Sequence, residues 1–200
     1  MRKILLFGVL FGLTSCQPII KLFYGIKNPK VENEQTLTKY MSKKDINKDN
    51  VYTVDFDNYQ TSLESINSKI PEVFIFNKKG QFIPYGEEYA CNASAFSFIE
   101  NLNKDSSYNS TNNTTLDRTL IGLCDLKGQP RTINTSDNTD FFVFIYWTRW
   151  AGKLNKDHVK VWEQQALSND KADIKVVKIN MDFQEFWGEE NLNKIKPKKE

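Results

Sequence analysis

Three thiols and one imidazole, Cys16, Cys91, Cys124 and His158, make up the chain's stock of soft or near-neutral titrating side chains. Structural and catalytic zinc sites draw their ligands from short, repeated Cys and His spacings. Here the thiols stand far apart beside a single histidine, so the sequence offers no metal-ligand set. His158 as a general base would need a nucleophile and an orienting carboxylate in reach. Asp157 and Lys153 are its neighbours in sequence, but adjacent helical residues point apart, so 153–158 reads as a solvated helix start with Asn155 as N-cap. The acidic pairs Glu87-Glu88 and Glu189-Glu190 have no apolar setting to raise a pKa and read as solvated surface. What remains is recognition chemistry. Arg149 and Trp150 are the residue types that dominate binding hot spots, and Lys153 follows within one turn.

The elements that must position these residues come from hydrophobic patterning. Residues 34–45 place Leu37, Tyr40 and Met41 at helical spacing, and 51–56 is strand-like in its β-branched and aromatic content. A short helix through Tyr59, Leu63 and Ile66 leads to an apolar strand from Pro71 to Phe76. Asn77-Lys78-Lys79-Gly80 is a tight turn, after which 81–85 returns as the second arm of a hairpin. Residues 93–102 form a helix through Ala95, Phe96 and Ile99. The polar stretch 104–115 is the best linker. Beyond it come a hairpin candidate at 123–130, a continuous apolar run at 141–147 that reads as a strand buried on both faces, a loop at 148–154, a helix at 155–168 and a strand at 174–182. With 27 basic and 25 acidic residues the chain is close to neutral, which gives no electrostatic case for nucleic acid.

The N-terminus adds a location. Arg2-Lys3 followed by the apolar run 4–13 has the form of a secretory signal, too short to span a bilayer. Leu13-Thr14-Ser15-Cys16 resembles the lipobox of bacterial lipoproteins, whose signal is cleaved so that the new N-terminal cysteine carries lipid. The resemblance implies a signal at 1–15, lipidation of Cys16, a tether over 16–33 and one domain over 34–200. It also implies a membrane partner through the lipid. No acidic export tag follows Cys16, which favours the periplasmic face of the outer membrane. In that oxidising compartment Cys91 and Cys124 form an even pair of thiols. A disulfide, two free buried thiols and a redox-active pair are all open to them.

A second resemblance lies in the chemistry-bearing loop. Phe142 to Trp147, then Thr148-Arg149-Trp150-Ala151-Gly152-Lys153-Leu154, a helix, and Val176 to Asp182, look like the central strand, active-site turn, first helix and next strand of thioredoxin-like proteins. The closing unit of that family, a strand opening on cis-proline with its hairpin return and last helix, resembles 70–80 and 93–102, earlier in the chain. This implies an α/β fold with a mixed central sheet flanked by helices and circularly permuted. The parts would be 34–103, a linker at 104–118, 119–190 and a tail at 191–200. The same order of pieces also fits two half-domains completing each other across a dimer. Where the family has Trp-Cys-Gly-X-Cys, this chain has Ala151 and Leu154 at the thiol positions. Redox catalysis needs a thiolate at a helix N-terminus and a second thiol to resolve the mixed disulfide, so the resemblance implies no CxxC catalysis and no cofactor. It implies instead a non-enzymatic envelope subunit that holds a protein or peptide through Arg149, Trp150, Lys153 and a cis-Pro71. The alternative is a divergent thiol-disulfide oxidoreductase working through Cys91 and Cys124.

Overall fold

The apolar run becomes β7 (Phe141–Trp147), and all seven of its residues are buried. A strand buried on both faces must have neighbours on both edges and layers above and below. The computed structural model, which describes residues 17–86, 92–135 and 138–195, supplies them. On one edge lies β8 (Ile174–Asn180), parallel to β7, and then β2 (Val51–Val54), parallel to β8. On the other edge β3 (Glu72–Asn77) runs antiparallel to β7 in unbroken register from Glu72 opposite Tyr146 to Asn77 opposite Phe141. The short strands β4 (Gln81–Phe82), β5 (Thr111–Thr115) and β6 (Leu123–Cys124) finish the margins. Among the described residues this gives a seven-stranded mixed sheet in the order β5-β4-β3-β7-β8-β2-β6. The first and second halves of the chain therefore share one sheet. A separate parallel pair joins β1 (Val31–Glu32) to β9 (Phe183–Gln184).

Alternation along β7 divides the core, because successive side chains point to opposite faces. Val143, Ile145 and Trp147 pack with Leu37 and Met41 of α2 (Glu34–Lys44), Ala95 and Ile99 of α4 (Ser94–Glu100), and Trp162 and Ala166 of α6 (Lys160–Leu167). Phe142, Phe144 and Tyr146 pack with Tyr59 of α3 (Phe56–Ser65), Leu116 of α5 (Leu116–Thr119) and Leu192 of α7 (Gly188–Ile195). Caps set the boundaries. Asn33 accepts the Thr36 amide at the start of α2, and Asp55 accepts the Asn58 amide, ending β2 and opening α3. Gly80 sits at φ 73 in the hairpin turn, as its type requires.

Several expected segments are more structured than their composition suggests. The polar stretch read as a linker contributes β5 and α5, so only 104–110 runs free of regular structure. The tail retains α7 through Ile195, held by buried Leu192. The tether forms α1 (Gln17–Tyr24) and then β1. Asn155 is not an exposed N-cap: it is buried and opens a wide helical turn (Asn155–Val159) that runs into α6. No helix of the described residues is long and apolar enough to cross a membrane.

Candidate functional site

The loop leaving β7 is built on buried polar groups. Thr148 ends the strand, Arg149–Ala151 make one tight turn, and Gly152 at φ 65 reverses the chain. The Arg149 amide donates to Asp182 Oδ2 at 2.6 Å, and its guanidinium pairs with Glu32 Oε2 at 2.5 Å. Asn180 donates its side-chain amide to the same Asp182 oxygen at 2.8 Å, and Gln184 donates to Asn180 Oδ1 at 2.8 Å. On the other side Asn155 donates to the Thr148 carbonyl at 2.6 Å and to the Tyr40 hydroxyl at 2.8 Å. The Tyr40 ring stacks on Trp147 with centroids 6.1 Å apart. Elements far apart in sequence, α2, β1, β9 and the end of β8, thus converge on one turn.

Burial dominates the electrostatics here. Asp182 is stripped of water, which pushes its carboxyl up to about 7; the Arg149 amide and Asn180 oppose the rise and Glu32 adds to it. Among the described residues its Oδ1 has no partner, and neither do the buried oxygens Thr148 Oγ1, Asn155 Oδ1 and Gln184 Oε1. Asp182 is 1% exposed. A carboxyl so enclosed, with one oxygen committed to the loop backbone, positions the loop and reaches no substrate in solvent.

A second feature lies beside it. The Ile70-Pro71 peptide bond is cis. The β3–β7 ladder ends with Glu72 opposite Tyr146, so Ile70 and Pro71 precede it at the end of the sheet where β7 passes into its turn. Pro71 is buried, and its carbonyl accepts from Asn92 Nδ2 at 2.8 Å. Ile70 is only half-buried, and among the described residues its backbone N–H and C=O have no partner. Next to it, Asn67 and Ser68 both hold φ near 50, at 49 and 55. Non-glycine residues in that region are costly and concentrate at functional loops. A groove of about 370 Å³ opens here, bordered by Ile66, Lys69, Phe74, Phe82 and Thr114.

The four expected interaction residues fall around this end of the sheet, with different freedom. Pro71 is cis, as the resemblance implies, but its ring is buried. Arg149 is 41% exposed yet spends its charge on Glu32. Trp150 is half-buried and Lys153 exposed, and both are met by the chain's own N-terminal segment. The Lys27 amide donates to the Trp150 carbonyl at 2.9 Å and the Lys153 amide to the Tyr24 carbonyl at 2.8 Å. Ala151 is fully buried, and Leu154 is half-buried one helical turn along.

Cys124 stands away from this turn. Cys124 carries a free, buried thiol on β6, at the sheet margin four strand positions from β3, or ~19 Å at ~4.8 Å per strand. Burial pushes that thiol's pKa up, and Asp55 and Asp125 push it further. Cys16, Cys91, Glu87 and Glu88 lie outside the described residues, while Glu189 and Glu190 are exposed in the first turn of α7. His158 is not fully solvated: it packs between Phe96 and Trp162, and burial lowers its pKa.

Sequence reasoning missed Glu32, Tyr40, Asn180 and Asp182. One signal was present: the apolar strand at 174–182 closes on Asn180 and Asp182 rather than on glycine or proline. No family model, curated protein or solved structure matches the chain.

Proposed function

We propose that the chain is a lipid-anchored lipoprotein of the periplasmic face of the outer membrane whose domain is a circularly permuted, redox-inactive thioredoxin-like fold. It serves as a non-enzymatic accessory subunit of an envelope complex and holds an extended segment of a partner protein. It uses no cofactor and no nucleic acid.

The observation that carries this reading is the peptide of Ile70, unpaired among the described residues, beside cis-Pro71 at the end of the sheet where β7 passes into its turn. An extended chain laid there gains main-chain hydrogen bonds while its side chains enter the adjoining groove. The turn itself holds Ala151 and Leu154 where a thiol pair would have to stand, and its polar support is spent on fixing the backbone. The oxidoreductase alternative has less support, because a buried thiol with a raised pKa supplies little thiolate.

Turnover separates the two. The full chain, purified from membranes in detergent and supplied with a dithiol reductant, should leave a disulfide-bonded substrate protein unreduced above the reductant-only rate. Turnover that disappears in Cys124→Ser or Cys91→Ser would replace the binding reading with the enzymatic one.

A further inference from the structure

Leu22 and Phe23 are 85% and 67% exposed, neighbours at the end of α1. The other large exposed apolar side chains, Ile121, Leu167 and Phe186, are dispersed over the body. Single exposed apolar residues need no explanation, whereas an adjacent pair on a fixed element does. The pair is fixed. α1 closes with the Gly25 amide on the Leu22 carbonyl at 3.2 Å and the Ile26 amide on the Lys21 carbonyl at 2.9 Å. The segment after it is stitched to the Trp150–Lys153 backbone by the two bonds given above. Gly152 permits that approach, since a Cβ there would stand 2.4 Å from the Tyr24 carbonyl oxygen.

Lysines run through the segment that carries the pair. Lys21, Lys27, Lys30 and Lys153 are exposed, and the Lys153 ammonium lies 5.4 Å from the centre of the Phe23 ring. Residues 17–31 contain no acidic side chain, and the first one, Glu32, is buried on Arg149. Half-buried Trp150 sits at the same end. Apolar tips, an aromatic with a polar edge and a lysine rim are the composition that settles at a bilayer interface, where the lysine stems reach the headgroups. The position of α1 argues the same way: Cys16, the expected lipid site, lies directly before Gln17.

We infer that Leu22 and Phe23, rimmed by Lys21, Lys27, Lys30 and Lys153, form a docking face for a lipid bilayer and hold the domain with the Arg149–Lys153 turn toward the membrane. This rests on the anchored reading but goes beyond it, because a lipid on a loose tether would leave the body free to tumble.

A photo-crosslinking experiment tests it. The full chain carrying Phe23→p-benzoylphenylalanine, purified from membranes, is reconstituted into vesicles of phosphatidylethanolamine and phosphatidylglycerol, floated and irradiated. The same probe replaces Leu167, 61% exposed at the C-terminal end of α6. Phospholipid adducts at position 23 should exceed those at 167 by at least about tenfold, the ratio that ~1.4 kcal/mol produces. Equal yields from a chain that floats would overturn the docking face while leaving the anchor standing. A protein adduct at 23 in place of lipid would assign the patch to a protein contact. A chain that fails to float would remove both the face and the anchor.

Discussion

At the scale of single residues, Asp182 governs how firmly the turn after β7 is held. In an unfolded chain its carboxyl titrates near ~3.9, and in the fold near about 7. Between those values the folded state keeps a proton that the unfolded state has lost, so stability from this group is full below the lower value and is lost as pH rises to the upper one. Asp182's contribution to the melting temperature should therefore fall between about pH 4 and about pH 7. Asp182→Asn should flatten that slope, since the asparagine oxygen still accepts the Arg149 amide and the side chain never ionises. A slope that is unchanged in Asp182→Asn would place the pH dependence elsewhere.

Elements show why some of the fold was legible in the sequence and some was not. β7 could be read because seven consecutive apolar residues admit few alternatives, and α2 because its apolar spacing and its Asn33 and Asp45 ends agree. β5 could not be read: Thr111–Thr115 is wholly polar, and it becomes a strand through pairing with β4, a long-range contact that local composition does not record. The turn after β7 was legible as a place but not as a structure, because its supports Glu32, Tyr40 and Asp182 arrive from three other elements. The N-terminal segment reads as a tether in the sequence, and Gly152 lets it lie against the turn. Gly152→Ala tests that contact. It places a side chain at φ 65 against two carbonyls, so destabilisation by about 2 kcal/mol is expected, with faster hydrogen exchange at the Lys27 and Lys153 amides. Unaltered exchange at both would show that the contact does not hold the segment in solution.

On the scale of the whole molecule, the two halves of the chain interlock through β3 and β7 rather than folding side by side. A protease should cut first within 104–110, the exposed stretch before β5. The fragments should then stay together through gel filtration and part only in denaturant, because the cut leaves the β3–β7 ladder and both core layers intact. Fragments that separate spontaneously, each folded, would show that the shared sheet is not what binds the halves.

That architecture places the peptide of Ile70, unpaired among the described residues, next to the groove bordered by Lys69 and Phe74, and the proposed function depends on what occupies it. The most direct measurement is to place p-benzoylphenylalanine at Lys69, exposed on the rim of the groove, in the full chain within its native membranes. Lys48, exposed before β2, carries the same probe for comparison. After irradiation a discrete protein adduct is expected from position 69 that is missing from position 48 and that maps to a single extended segment of the partner. Identical adduct patterns at the two positions, or no protein adduct at 69, would contradict the proposed function.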